Sequence, residues 1–261
     1  MKKYISIAEI PKYLEIQRGE VLLVSSDVRR LLLTGMSQGD SMDLNVFLEG
    51  LMDVIGTEGT ILIPTYNWDF CKGKTFDYRT TSCKTGSLGK IALKRTDFIR
   101  TKHPIYSFAV WGRDADKLYR MENTDSFGQD SPFAYLKEMK AKNLFIDVTY
   151  QNSFTYVHYV EEWEGNVSYR YCKDFTAGYV DARGEKSVRT YSMFVRNLDK
   201  DVQVTINPME SVFVEKGAVR QYTINDISFR MLDLEKAYQL IKEDIISNKS
   251  RRLCSYIGQD E

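Results

Sequence analysis

In the stretch EVLLVSSDV (Glu20–Val28), four consecutive apolar residues, Val21–Val24, are bounded by turn-forming residues, the pattern of a strand buried on both faces. Downstream, Asp40 or Ser41 can cap a helix in which Leu44, Phe47, Leu48, Leu51, Met52 and Ile55 recur at helical spacing. GTEGTILIPTY (Gly56–Tyr66) then turns on glycine and enters a second buried strand, Thr60–Ile63, which Pro64 stops. Strand, helix, strand predicts an α/β unit with a parallel pair at its centre.

Working outward, Ile5–Leu14 reads as a short helix interrupted at Pro11, and residues 67–85 as a long polar loop carrying aromatic residues. SLGKIALKR resumes a helix, His103–Gly112 reads as a strand and ADKLYRM as a short helix. SPFAYLKEM reads as another helix, with Ser131 as cap and Pro132 in its first position. Lys142–Tyr150 is a third core strand, with a helix containing His158 after it. The C-terminal part alternates around a turn at Asp181–Gly184, which predicts an antiparallel hairpin. Asp233–Ile246 has the apolar stripe of an amphipathic helix. No repeat or Gly/Pro/Ser-rich linker divides the chain, so a single domain over 1–261 is expected.

Lys+Arg and Asp+Glu both number 36, so the formal charge is zero, which argues against a nucleic-acid partner. No apolar run is long enough to span a bilayer, and the N-terminus lacks the apolar core of a signal peptide. Cys71, Cys83, Cys172 and Cys254 are scattered, as reduced cytoplasmic thiols would be. Aromatic content of 13% leaves room for a homodimer surface without locating one.

TGSLGK (Thr85–Lys90) is neither a phosphate loop nor a dinucleotide fingerprint, and there is no G-x-S-x-G elbow. A single H-x-x-E does not make a metal site of the helical-bundle type, so no metal is expected. The chain has two histidines, His103 and His158. His158 can carry protons near neutral pH, and Glu161 and Glu162 fall on its helix face, so either could orient it. From spacing alone, a partly buried histidine paired with a surface glutamate is the plainer reading.

Six blocks in order change that balance. VLLVSSDV, GTILIPTYNWDF, FDYRTTSCKTGSLGKIALKR, IRTKHPIYSFAVWG, SPFAYLKEMKAKNLFIDV and TYVHYVEE resemble the aminoglycoside 3-N-acetyltransferase family over roughly residues 20 to 165. EKGAVRQYTINDI (Glu215–Ile227) resembles its closing block more weakly. The resemblance implies a three-layer α/β/α sandwich with a mixed, largely parallel central sheet and a small C-terminal antiparallel hairpin region. It implies acyl transfer from acetyl-CoA, or another acyl-CoA, to an amine on a sugar, by direct attack on the thioester. His158 is then the general base, with Glu161 beside it. Ser25, Ser26, Asp27, Val28 and Arg29 form the cofactor turn, with His103 and Ser107 on the cofactor side. Thr65, Tyr66, Asp69, Asp77 and Glu162 face the acceptor.

The chain departs from that family in two ways. Its charge is balanced where cationic antibiotics call for an acidic cleft. In place of a second carboxylate after the histidine, RTYSMFVRN offers Arg189, Tyr191, Phe194 and Arg196. Arginine pairs with phosphate, so Arg196 joins the expected acceptor contacts, and a nucleotide-linked amino sugar of surface-glycan synthesis fits better than an antibiotic. The alternatives are an aminoglycoside-inactivating enzyme and a non-catalytic relative that binds a nucleotide sugar or a protein partner.

Overall fold

A computed structural model of the chain describes residues 3–165 and 167–256. β1 (Val21–Ser26) alternates its side chains between two cores: Leu22 and Val24 enter one, Val21 and Leu23 the other. That two-sided burial explains its unbroken apolar run. α1 (Arg29–Ser37) follows, then α2 (Leu44–Ile55), capped by Asp43 rather than by Asp40 or Ser41. Asp40 instead accepts hydrogen bonds from Tyr4 Oη and the Ile7 amide, tying the N-terminal segment down. That segment is helical only as a 3-10 turn at Ile10–Tyr13, since Pro11 cannot donate to a longer helix.

β2 (Thr60–Pro64) pairs parallel to β1. The polar excursion beyond it holds β3 (Phe76–Asp77), α3 (Ser87–Ala92) and β4 (Ile99–Arg100), and returns as β5 (Phe108–Gly112). The expected strand His103–Gly112 is thus half as long. Pro104 lacks a donor, and the amides of Ile105 and Tyr106 turn back onto His103 Nδ1. After α4 (Ala115–Tyr119) and α5 (Pro132–Glu138), capped by Ser131 as expected, β6 (Lys142–Ile146) runs parallel to β1 on its other side. β6 stops short of Tyr150 because Asp147 adopts a left-handed conformation, φ 49°. Two helices follow, α6 (Tyr150–Ser153) and α7 (Tyr156–Glu164).

The hairpin β7 (Arg170–Val180) and β8 (Lys186–Arg196) forms as expected around Asp181–Gly184, with β3 along its edge. β9 (Val202–Val204), α8 (Met209–Glu215), β10 (Val219–Ile224), β11 (Ile227–Asp233), α9 (Leu234–Ser247) and β12 (Cys254–Tyr256) complete the chain. β10 and β11 join the main sheet through a two-residue turn in which Asn225 and Asp226 both have positive φ.

The seven-stranded sheet has the order β10-β11-β6-β1-β2-β5-β4. It is mixed, but less parallel than the sequence suggested. Only the β6–β1 and β1–β2 pairings are parallel, and the outer four are antiparallel. β5 reverses because the excursion starts and ends at the same edge: the Thr65 amide donates to Ser107 O at 2.8 Å. α1, α2 and α3 cover one face of the sheet. α5, α7 and α9 cover the other.

Candidate active site

The carboxyl ends of the three parallel strands open onto one edge, where open α/β sheets place their ligands. Ser25–Arg29 leave β1, Pro64, Tyr66 and Trp68 leave β2, and Val148, Asn152, Ser153 and Thr155 follow β6. Together with Lys84–Ser87 they line a cleft of about 470 Å³. Gly89 makes this closeness possible, because a Cβ there would lie 2.6 Å from Pro64 O, so α3 could not seat against the end of β2. Gly86 bends the chain into α3 with φ 97°, a conformation that favours glycine. A second chamber of about 360 Å³ adjoins the first and shares Trp68, Asn152, Ser153 and Thr155 with it. His158, Glu161, Arg170 and Arg196 line this second chamber.

Within it, α7 turns His158 and Glu161 to one side. His158 Nδ1 lies 2.8 Å from Glu161 Oε2, and Glu161 is 1% exposed. Tyr169 donates its hydroxyl to Glu161 Oε1 at 2.9 Å. Arg170 places Nε 2.8 Å from Oε2 as an ion pair, outside hydrogen-bonding geometry. Burial alone would raise the Glu161 carboxyl, but His158, Arg170 and Tyr169 outweigh it and hold the carboxyl below its ordinary range. A carboxylate only accepts, so Nδ1 carries the imidazole proton and Nε2 keeps its lone pair. Burial, followed by the charge of Arg170, holds His158 below its ordinary 6.5 against the pull of Glu161. The imidazole is therefore neutral at neutral pH, and with its side chain 24% exposed it can be reached from the chamber.

The expected residues divide. Ser25, Ser26, Asp27, Val28, Arg29 and Tyr66 line the first cleft, and His158, Glu161 and Arg196 the second. The Tyr66 hydroxyl meets Thr155, which lines both. The others lie elsewhere. His103 is 2% exposed, accepts two backbone amides through Nδ1, and is pushed by burial down to about 3, so it is a neutral structural ring. Ser107 and Thr65 are fully buried and bond to each other at 2.8 Å. Asp69 is tied to Lys84 and Lys74, and Asp77 to Arg79, so neither lines a chamber. Glu162 turns away from His158 toward Asp125 and Cys172. Burial and Asp125 raise it to about 8, and it is Glu161, not Glu162, that meets the imidazole.

Sequence reasoning missed Tyr169 and Arg170, which reach Glu161 from the start of the hairpin, and the shared wall Trp68, Asn152, Ser153 and Thr155. It also missed Arg100, which lies buried under the excursion. Arg100 donates to Ser107 Oγ, Thr65 O and Thr81 O, and burial lowers it to about 10. The glycines and serine of TGSLGK were a usable signal for one cleft wall. No local pattern announced the others.

The first cleft is the larger of the two chambers. Its volume is in the usual range for small-ligand sites, roughly 300–1,000 Å³. Val28 and Arg29, where α1 begins, line it, and the Arg29 amide donates to Asp27 Oδ1 at 3.1 Å. Arg29 stands at the rim, but its guanidinium is already paired with Asp27, so it reaches phosphate only by leaving that carboxylate. Among the described residues no group of three or more His, Cys, Asp or Glu side chains is placed to hold a metal ion, and no helix is long and apolar enough to cross a membrane.

The structure thus sets a carboxylate-paired imidazole in one of two adjoining chambers at the end of the sheet's parallel core. The family model described as aminoglycoside 3-N-acetyltransferase matches residues 23–245, and the chain belongs to that family, whose members are acyl-CoA-dependent N-acetyltransferases. A prophage-derived aminoglycoside N(3')-acetyltransferase-like protein, YokD, from Bacillus subtilis is 24% identical over 171 residues. That match takes in 57% of this chain and 61% of the relative, so the chain spans less than two thirds of the length of this curated relative. Among solved structures, AAC-IIIb in a binary complex with CoASH superimposes with a TM-score of 0.77 at 17% identity, over 95% of this chain and 98% of the other. AAC-VIa bound to sisomicin gives 0.78 at 17% identity, over 94% and 99%. These likenesses share the whole fold.

Proposed function

We propose that the protein transfers an acetyl group from acetyl-CoA to a primary amine of an amino sugar, with His158 as general base. The observation that carries this is the neutral imidazole, fixed through Nδ1 by a buried carboxylate, in a chamber that adjoins a cofactor-sized cleft. The donor supplies an acetyl group activated as a thioester. An amine at neutral pH is mostly protonated and cannot attack it. The ammonium first gives one proton to solvent; as the free amine attacks the thioester carbonyl, His158 Nε2 takes a second proton from the nitrogen, the new C–N bond replaces the C–S bond, and the imidazolium returns that proton to the departing sulfur. Glu161 holds the ring and offsets the imidazolium charge. The cleft walls bring donor and acceptor together in one orientation. No covalent acyl-enzyme is required. Cys83 and Cys254 are buried, and the thiols of Cys71 and Cys172 are raised by burial to about 11 and about 12, away from thiolate reactivity.

The acceptor has two readings. Charge balance and Arg196 in the acceptor chamber support a nucleotide-linked amino sugar of surface-glycan synthesis. The family name supports an aminoglycoside. Thiol release from acetyl-CoA, followed beside His158→Ala, tests the activity. Loss of roughly 100-fold or more in a folded variant is the expected result, and equal release by the two proteins refutes His158 as the base.

A further inference from the structure

The hairpin register sets Arg170 directly opposite Arg196, at the open end of β7 and β8. Like charges facing each other across an antiparallel pair are unfavourable unless something neutral or negative separates or balances them. Glu161 balances Arg170. Arg196 is exposed and has no ion-pair or hydrogen-bond partner among the described residues, yet it lines the same chamber as His158. Glu161 is the only carboxylate in that lining, and its two oxygens are already engaged by His158, Tyr169 and Arg170. Among the described residues the chamber lining therefore carries a surplus of one positive charge, with no carboxylate left to receive the ammonium groups of a polycation.

Resting on the activity proposed above, we infer that the acceptor carries a phosphate, which Arg196 binds while the acceptor's amine sits at His158. Arg196 is a specificity-determining residue: it selects an anionic amino sugar, either a sugar phosphate or a nucleotide-linked sugar, and the arrangement disfavours polycationic aminoglycosides. The guanidinium suits the task, since it pairs with phosphate oxygens through two parallel N–H donors. The neighbouring Arg170 adds its field from behind while remaining committed to Glu161.

The test uses the whole protein with acetyl-CoA and four probes: glucosamine, glucosamine 1-phosphate, UDP-glucosamine and sisomicin. Thiol release is read at several concentrations of each. A phosphate-bearing probe is expected to exceed free glucosamine in kcat/KM by roughly tenfold, the worth of one charge-assisted hydrogen bond. Which of the two is preferred separates a sugar phosphate from a nucleotide-linked sugar. Arg196→Ala is expected to abolish that advantage through KM rather than kcat, Arg196→Lys to restore part of it, and Arg196→Glu to move preference toward sisomicin. Sisomicin as the best acceptor of the unmodified protein, or a phosphate advantage untouched in Arg196→Ala, overturns the inference. If no probe is turned over, the activity reading is what has failed. Calorimetry of the phosphate probes against the protein with coenzyme A then decides the anion site: binding lost in Arg196→Ala upholds it, and no binding overturns it.

Discussion

Replacing Glu161 by Gln keeps the shape of the side chain and removes its charge, which isolates what the carboxylate does. Its 1% exposure means water cannot take over, and three groups lose their partner at once: the Nδ1–H of His158, the hydroxyl of Tyr169 and the charge of Arg170. The amide oxygen can serve only one of the two donors, and its NH₂ faces the other. Breaking a buried ion pair from one side costs about 3 kcal/mol or more. For a chain of this size that amounts to a fall in Tm of roughly 6–12 °C. Activity falls further than stability. Without a fixed acceptor the imidazole loses its preference for Nδ1–H, and a loss of roughly 100-fold in kcat/KM follows from the ordinary worth of a positioned base.

The pH profile supplies the sign. Burial and Arg170 push the His158 pKa down, while Glu161 pushes it up. The working form is the neutral ring, present above that pKa, so the acid limb of kcat/KM in the unmodified protein lies below 6.5. Removing the one raising influence moves the limb to still lower pH. The assay is thiol release from pH 4.5 to 8, with circular dichroism confirming that the variant is folded at each point. A limb that moves to higher pH, or kcat/KM within about threefold of the parent, would refute the claim that this carboxylate orients and charges the base.

Two further outcomes follow from other parts of the structure. Gly89→Ala places a methyl group 2.6 Å from Pro64 O, so it should cost about 1–3 kcal/mol by overpacking and raise KM for acetyl-CoA by widening the first cleft, measured by thermal melts and donor titration. Glu162, raised to about 8 by burial and by Asp125, binds its proton more tightly folded than unfolded. Its contribution to stability is present below about pH 4.5 and is lost as pH rises through about 8. Glu162→Gln should therefore leave Tm nearly unchanged at pH 4.5 and raise it at pH 8.5, whereas a Tm difference that does not depend on pH would contradict the Asp125 pairing.

How much of this could be read from the chain depended on whether the deciding contacts were local. Val21–Val24 and Thr60–Ile63 announced themselves because strands buried on both faces have no polar positions. The hairpin and α9 followed from alternation and from a 3.6-residue stripe. His158 and Glu161 were legible as a pair because one helical turn joins them. Tyr169 and Arg170 reach the same carboxylate across a loop, and no periodicity records such a contact. The reversal of β5 was hidden for a similar reason: its direction is set by the return of the excursion to its starting edge, not by the composition of FAVWG. The β10–β11 hairpin was missed although Asn225-Asp226 is a turn dipeptide between alternating residues. Resemblance to known sequences pointed to His103, Ser107, Asp69 and Asp77 as site residues but carried no information on burial or on the partners that engage them.

Thr65 and Ser107 clasp each other at the two ends of the excursion, backbone to backbone and hydroxyl to hydroxyl, and Arg100 pins both from beneath. Seen as architecture, this is a buckle. Apart from Arg100 and Gly89, what is strung between the two residues can lengthen, shorten or exchange side chains without disturbing the register of β2 against β5. Lys84, Gly86 and Ser87 of one chamber, and Trp68 of both, hang from that strap, while His158 and Glu161 belong to the frame. Lineages that share this frame are thus free to retailor what they accept by altering the strap and the open end of the hairpin, and the base that performs the chemistry need not move.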